Sequence, residues 1–260
     1  MKTRVITAVA LIPLVLAALL ISDRWPIVAL GFAVVLIGSS EAAKLLGGTY
    51  SLGGPIGLAV LAALIYSPGF NGAQGCALLC LEVTLVGVAA AWLGTRVGKH
   101  TAVFLSGLWA AGPLAAVFLL HQIGFRTGPN LWEAAVPELL AVVPLWIGDT
   151  AAIFAGRAFG KHLLAPKISP KKTVEGAIAN LLGCIIGAVM IGSSLGLPKA
   201  LACGLAAGIF GQLGDLFESS LKRRADLKDS GTLLPGHGGV LDRIDSILFT
   251  APIVALILLS

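Results

Sequence analysis

The chain has 260 residues, 57% of them hydrophobic and 12% charged, with a mean hydropathy of +0.95. Its apolar residues fall in long blocks rather than amphipathic stripes, which excludes an ordinary water-soluble domain and points to an all-α, polytopic integral membrane protein. On so apolar a chain, the formal net charge of +5 suits loop orientation, anionic headgroups and phosphates rather than nucleic acid.

A hydrocarbon core of about 30 Å needs roughly 20 apolar residues per helix. Breaks at Gly, Pro and charged residues predict about nine transmembrane helices, at roughly 5–22, 27–44, 52–67, 75–93, 102–120, 135–156, 175–194, 199–219 and 244–259. Lys2 and Arg4 precede the first run as they would in a secretory leader. No small-residue cleavage site follows it, and Ser22-Asp23-Arg24-Trp25-Pro26 leads into another apolar run, so the segment is taken as the first span. With the N-terminus in the cytoplasm, 15 of the 18 basic residues fall on the cytoplasmic side, and only Arg24, Arg126 and Lys199 fall outside. The two longest loops then lie on the cytoplasmic side, where function is expected. Residues 1–130 supply about five spans. Residues 131–260 supply about four and carry the two long cytoplasmic loops, 157–174 and 220–243.

Within the spans, Glu41 and Lys44 stand at i,i+3 near a helix end and are expected to form an interfacial ion pair. Cys76, Cys80, Cys184 and Cys203 all lie in apolar runs and are read as packing residues, and isolated Glu82 is read as structural. Gly183 and Gly187, like Gly204 and Gly208, have GxxxG spacing, expected to serve packing within the chain; a homodimer stays open.

The chemistry is expected in the second half. Asp149 lies inside a span, where an ionisable residue is functional by default. Asp215, Glu218 and Lys222 stand at i, i+3 and i+7 on one helical face. Asp242 and Asp245 open the last helix, where a plain capping role competes. If the intervening loop folds back, Asp215 and Asp242 could supply carboxylate oxygens to a hard cation such as Mg²⁺. The Pro235-Gly236-His237-Gly238-Gly239 turn could bring backbone N–H groups to phosphate, with Lys222, Arg223 and Lys228 neutralising charge. The other loop offers Ser169, Lys171, Lys172 and Thr173 to a second phosphate, with Thr173 also suited to capping the next helix. Gly156–Lys161 is one residue short of a P-loop and has His162 where Ser or Thr is required. Together these residues predict a membrane-embedded, metal-dependent transferase handling polyphosphate.

These residues resemble the phosphatidate cytidylyltransferase (CDP-diacylglycerol synthase) family. Its C-terminal signature is matched by Ser219, Leu221, Lys222, Arg223, Lys228, Asp229, Gly231, Leu234, Pro235, His237, Gly238, Gly239, Val240, Asp242, Arg243, Ile244 and Asp245. Gly148-Asp149-Thr150, Ser169-Pro170-Lys171-Lys172-Thr173 and Gly214-Asp215-Leu216 are also similar to family motifs. The resemblance is strong over roughly 140–245 and is a hydropathy pattern before that. It implies that CTP and phosphatidic acid give CDP-diacylglycerol and pyrophosphate at the bilayer, with Mg²⁺ required and a second cation left open. It implies Asp215 and Asp242 as metal ligands, with Glu218, Asp245 and Asp149 next, and Lys222 and Arg223 against the transferring phosphate. Ser169, Lys171, Lys172, Thr173, Ser219, Lys228, His237, Gly238, Gly239 and Arg243 would contact the substrates. The competing readings are a related CTP-dependent membrane enzyme acting on another lipid phosphate or on polyprenol, and an anion transporter.

Overall fold

The computed structural model describes residues 2–67, 72–236 and 238–260, with the backbone alone for 2–8, 10 and 95. The chain runs α1 (Lys2–Leu20), α2 (Arg24–Leu45), α3 (Gly53–Ile65), α4 (Ala73–Leu93), α5 (Lys99–Ser106), α6 (Leu108–Thr127) and α7 (Leu131–Phe159). It continues through the strands β1 (Leu163–Ala165) and β2 (Ser169–Thr173) to α8 (Val174–Gly192), α9 (Leu197–Arg224), α10 (Leu241–Ile244) and α11 (Ile247–Leu259). Six helical segments among the described residues are long and apolar enough to cross a membrane: 24–45, 73–93, 99–127, 131–159, 174–195 and 197–224. Leu11–Leu20 and Gly53–Ile65 are apolar but shorter.

Local chemistry sets several helix starts. Asp23 accepts from Trp25 N at 3.1 Å, Asn130 from Glu133 N at 3.0 Å, and Thr173 from Gly176 N at 3.1 Å, each satisfying a first-turn donor with no partner inside the helix. The core centres on α6, whose Trp109, Phe118, Leu119 and Leu120 are buried against α3, α4, α7 and α11. Stripes of large apolar side chains face outward, as with Ile178, Leu182, Ile186 and Met190 on α8. Repeats of i and i+4 facing outward suit a surface that meets hydrocarbon.

Small residues bring α7, α8 and α9 together. A Cβ at Gly183 would lie 3.0 Å from Gly148 Cα, and one at Gly208 only 2.8 Å from Leu181 Cα. The GxxxG glycines therefore serve contacts between helices of this chain. The four cysteines are buried and free. The loop expected at 157–174 holds an antiparallel hairpin pairing Leu163 with Thr173 and Ala165 with Ser169. Pro170 fits there because a two-stranded ribbon leaves one edge of each strand without ladder bonds. On the other side of α8, α9 continues through the residues expected to start a loop and ends at Arg224.

Candidate active site

The chemistry-bearing residues meet at one end of the helical bundle, where the C-terminal turns of α2, α7 and α9, the start of α8, the hairpin and α10 converge. Lys222 is central there. Its ammonium lies 2.7 Å from Glu218 Oε2, one turn back on α9, and 2.5 Å from Asp242 Oδ1 on α10, with all three side chains almost fully buried. The 225–241 segment folds back to make this contact. Its reversal starts at Asp226, which takes a left-handed φ of 54° while Leu227 N bonds the Lys222 carbonyl at 2.8 Å.

Asp242 Oδ2 accepts from Gly239 N at 2.7 Å and Ser230 N at 2.9 Å. Burial acts to raise the Asp242 carboxyl, but the Lys222 ammonium and these two N–H groups outweigh it and hold the group below the ordinary carboxylate range. The turn itself is tight, with Leu234 N bonding the Gly238 carbonyl at 2.9 Å, Gly236 at φ 77° and Gly238 at φ 83°. A side chain at 238 would need that left-handed backbone and would also press against the Asp242 carboxylate. His237 lies outside the described residues.

A second ion pair joins the hairpin to α9. Lys172 Nζ lies 2.5 Å from Asp215 Oδ2, and Ser219 Oγ donates to Asp215 Oδ1 at 3.3 Å. Asp149, on α7, accepts from Asn180 Nδ2 of α8 at 3.0 Å. The charges of Asp149, Asp215 and Asp245 act on one another, and Lys172, Lys222 and Arg243 act on members of this group. Beside these groups opens a cavity of about 600 Å³, lined by Lys171, Lys228, Arg243, Asp229 and the turn residues Leu234, Pro235, Gly236 and Gly238. Cationic side chains and a glycine-rich backbone around an open cleft can take up a polyphosphate anion.

Several expected phosphate contacts have other partners. Arg223 donates to the carbonyls of Ile168 and Leu227, both at 3.2 Å, and so pins the hairpin turn to the end of α9. Thr173 Oγ1 is committed to its helix cap, Gly239 N to Asp242, Ser219 Oγ to Asp215, and Ser169 sits in the β-ladder. Asp245 Oδ1 accepts from the next residue, Ser246 N, at 2.7 Å; neither α10 nor α11 begins with a side-chain cap bond, so the capping role expected to compete for Asp242 and Asp245 is not realised. The Glu41–Lys44 surface pair does not form. Lys44 is exposed, whereas Glu41 is buried and accepts from Val240 N, Leu241 N and Ser230 Oγ. Glu82 is exposed on α4. Glu41 was noticed in the sequence but given the wrong partner, while Asn180 escaped it; a polar group inside an apolar run was the signal for both.

Carboxylates at 215, 242, 245 and 149 are the hard oxygen donors that Mg²⁺ prefers, and the mutual repulsion of Asp149, Asp215 and Asp245 is what a divalent cation would relieve. Among the described residues, no three His, Cys, Asp or Glu side chains already converge in metal-ligand geometry. The donor chemistry fits Mg²⁺. Asp215 has an oxygen held only by the long Ser219 contact, whereas Asp242 would have to give up Lys222 to free one.

Residues 2–260 match the Cytidylyltransferase family. A phosphatidate cytidylyltransferase of Bacillus subtilis (strain 168) is 34% identical over 99% of this chain and 97% of its own length. A phosphatidate cytidylyltransferase of Staphylococcus haemolyticus (strain JCSC1435) is 44% identical over 47% of this chain and 48% of its own. Phosphatidate cytidylyltransferase 5, chloroplastic, of Arabidopsis thaliana is 40% identical over 61% of this chain and 38% of its own.

Proposed function

The chain belongs to the cytidylyltransferase family, and from that membership we propose that it transfers the cytidylyl group of CTP to phosphatidate, giving CDP-diacylglycerol and pyrophosphate. The observation that carries the assignment to this site is the convergence of two lysine–carboxylate assemblies beside one cationic, glycine-lined cleft. Lys222 with Glu218 and Asp242 forms one, and Lys172 with Asp215 the other. The first reaches the cleft through Gly238, which packs against the Asp242 carboxylate, and the second through Lys171, the neighbour of Lys172 in the hairpin.

A lipid phosphate oxygen attacks the α-phosphorus of CTP; that P–O bond forms as the bond to the bridging oxygen of pyrophosphate breaks. A phosphate monoester is already anionic near neutral pH, so no protein base has to remove a proton. Lys171, Lys228 and Arg243 neutralise the nucleotide phosphates in the cleft, and Lys172 offers a cation where the hairpin meets α9. Lys222 balances Glu218 and Asp242, so that negative groups can stand together in a buried place. Asp215 and Asp242 would hold Mg²⁺, with Asp245, Asp149 and Glu218 as further donors to it or to a second cation. When bound, the ion supplies positive charge to the α-phosphate and the leaving pyrophosphate. Arg223 acts by fixing the hairpin against α9 rather than by touching phosphate.

The same reading places about nine helices across a bacterial inner membrane, with the N-terminus and the active site on the cytoplasmic side. Beyond the six long helices the count draws on α1, α3 and α11, of which the 13-residue α3 and α11 need their flanking residues to reach across. The distribution of basic residues supports this orientation, and a CTP-consuming site has to face the compartment that holds CTP. The test is incorporation of label from α-³²P-CTP into phosphatidate by the purified protein. Absence of a labelled lipid product with phosphatidate, alongside labelling of another lipid phosphate, would move the assignment to a different acceptor.

A further inference from the structure

We infer that Glu41 is a positioning residue for the transfer reaction: its buried carboxylate holds the segment around Ser230 and Gly239–Leu241 in the shape that presents Asp242 to the site. Glu41 stands on α2, 200 positions before Leu241, and is 2% exposed. Its Oε2 accepts from Leu241 N at 2.7 Å and Ser230 Oγ at 3.2 Å, and its Oε1 from Val240 N at 3.1 Å. None of the ion pairs among the described residues involves Glu41. A carboxyl group buried without a cation beside it is costly unless its oxygens are hydrogen-bonded, and here its donors come from the 230–241 segment.

Ser230 is gripped from two sides, with its hydroxyl on Glu41 and its N–H on Asp242 Oδ2. Gly239 donates to the same Asp242 oxygen and lies so close to Glu41 that an added Cβ would stand 2.6 Å from both carboxylate oxygens. Gly231 likewise has no room for a Cβ beside Glu41 Oε1. The loop is thus wrapped around the Glu41 carboxylate, and the two N–H groups immediately before Asp242 are the ones it fixes. Removing this anion would free the backbone that aims Asp242 without touching Asp242 itself.

The inference rests on the reading of Asp242 as a metal-holding residue, and the experiment keeps the two apart. Mn²⁺ binding to the detergent-purified full chain, with CTP present, is followed by the EPR signal of free Mn²⁺ for the parent, Glu41→Gln, Ser230→Ala and Asp242→Asn. Glu41→Gln preserves volume but turns an NH₂ group toward backbone N–H donors. It is expected to weaken Mn²⁺ binding about 10-fold or more, the usual scale for groups that orient a ligand. Ser230→Ala removes one hydrogen bond and is expected to weaken it about threefold. A purely structural role would lower the amount of folded protein without changing the affinity of the folded fraction. Parent-like affinity in folded Glu41→Gln overturns the inference. If that variant does not fold, Ser230→Ala decides, weaker binding supporting the inference and unchanged binding overturning it. Parent-like Mn²⁺ binding in Asp242→Asn sinks the metal role of Asp242 separately.

Discussion

Replacing Lys222 with Met asks how much of this site is held by a buried cation. Side-chain exposure is 10% for Lys222, 0% for Glu218 and 5% for Asp242, so the Met variant leaves two carboxylates in a dry place with no ammonium between them. Removing one partner from a buried pair costs about 3–5 kcal/mol, because the remaining charge is uncompensated. For a chain of this size each kcal/mol lowers the melting temperature by about 2–4 °C, giving an expected drop of about 6–20 °C. The Lys172–Asp215 pair is the internal control. Its N–O distance is the same 2.5 Å, but the side chains are 27% and 32% exposed, so Lys172→Met is expected to cost no more than about 1 kcal/mol while still impairing transfer. Both are read from tryptophan-fluorescence melting curves in detergent, with labelled-lipid formation measured on the same preparations. A Lys222→Met protein melting within about 2 °C of the parent, or a Lys172→Met protein equally destabilised, would refute the reasoning from burial.

Gly238→Ala should be poorly tolerated, since alanine would have to hold φ 83° at roughly 1–2 kcal/mol while pressing on the Asp242 carboxylate. More than about a tenfold loss of transfer rate, with most of the thermal stability kept, is the expected result. Thr173→Ala removes the cap of α8 and should lower stability by about 1 kcal/mol, whereas Thr173→Ser, which keeps the hydroxyl, should melt like the parent.

The helices were legible because long apolar blocks separated by Gly, Pro and charge admit little else, although α2 and α7 start at Arg24 and Leu131, capped by Asp23 and Asn130, ahead of the expected 27 and 135. The hairpin was not, since the three residues Leu163–Ala165 are too few, and Ser169–Thr173 too polar, to carry an alternating pattern. The sequence left the return of the 225–241 segment to α9 as a condition for a shared Asp215–Asp242 site; the segment does return, and the contact it makes is Lys222–Asp242. Spacing says nothing about which atoms take each hydrogen bond, so Arg223 and Thr173 looked like phosphate ligands until their carbonyl and amide partners came into view. Glu41 shows the limit most clearly. Its local neighbour Lys44 suggested an ordinary helical pair, while its actual partners lie some 190–200 positions away along the chain. Only the tertiary fold brings them within 3.2 Å.

The central claim is metal-assisted cytidylyl transfer with Asp215 as a metal-holding carboxylate. Its most direct measurement compares the purified parent and Asp215→Asn for transfer of ³²P from α-³²P-CTP to phosphatidate across a Mg²⁺ titration. The expected result is Mg²⁺-dependent labelled CDP-diacylglycerol from the parent and a loss of about 100-fold or more in the variant, comparable to removing a transition-state charge contact. Parent-like rate and Mg²⁺ dependence in Asp215→Asn would contradict it.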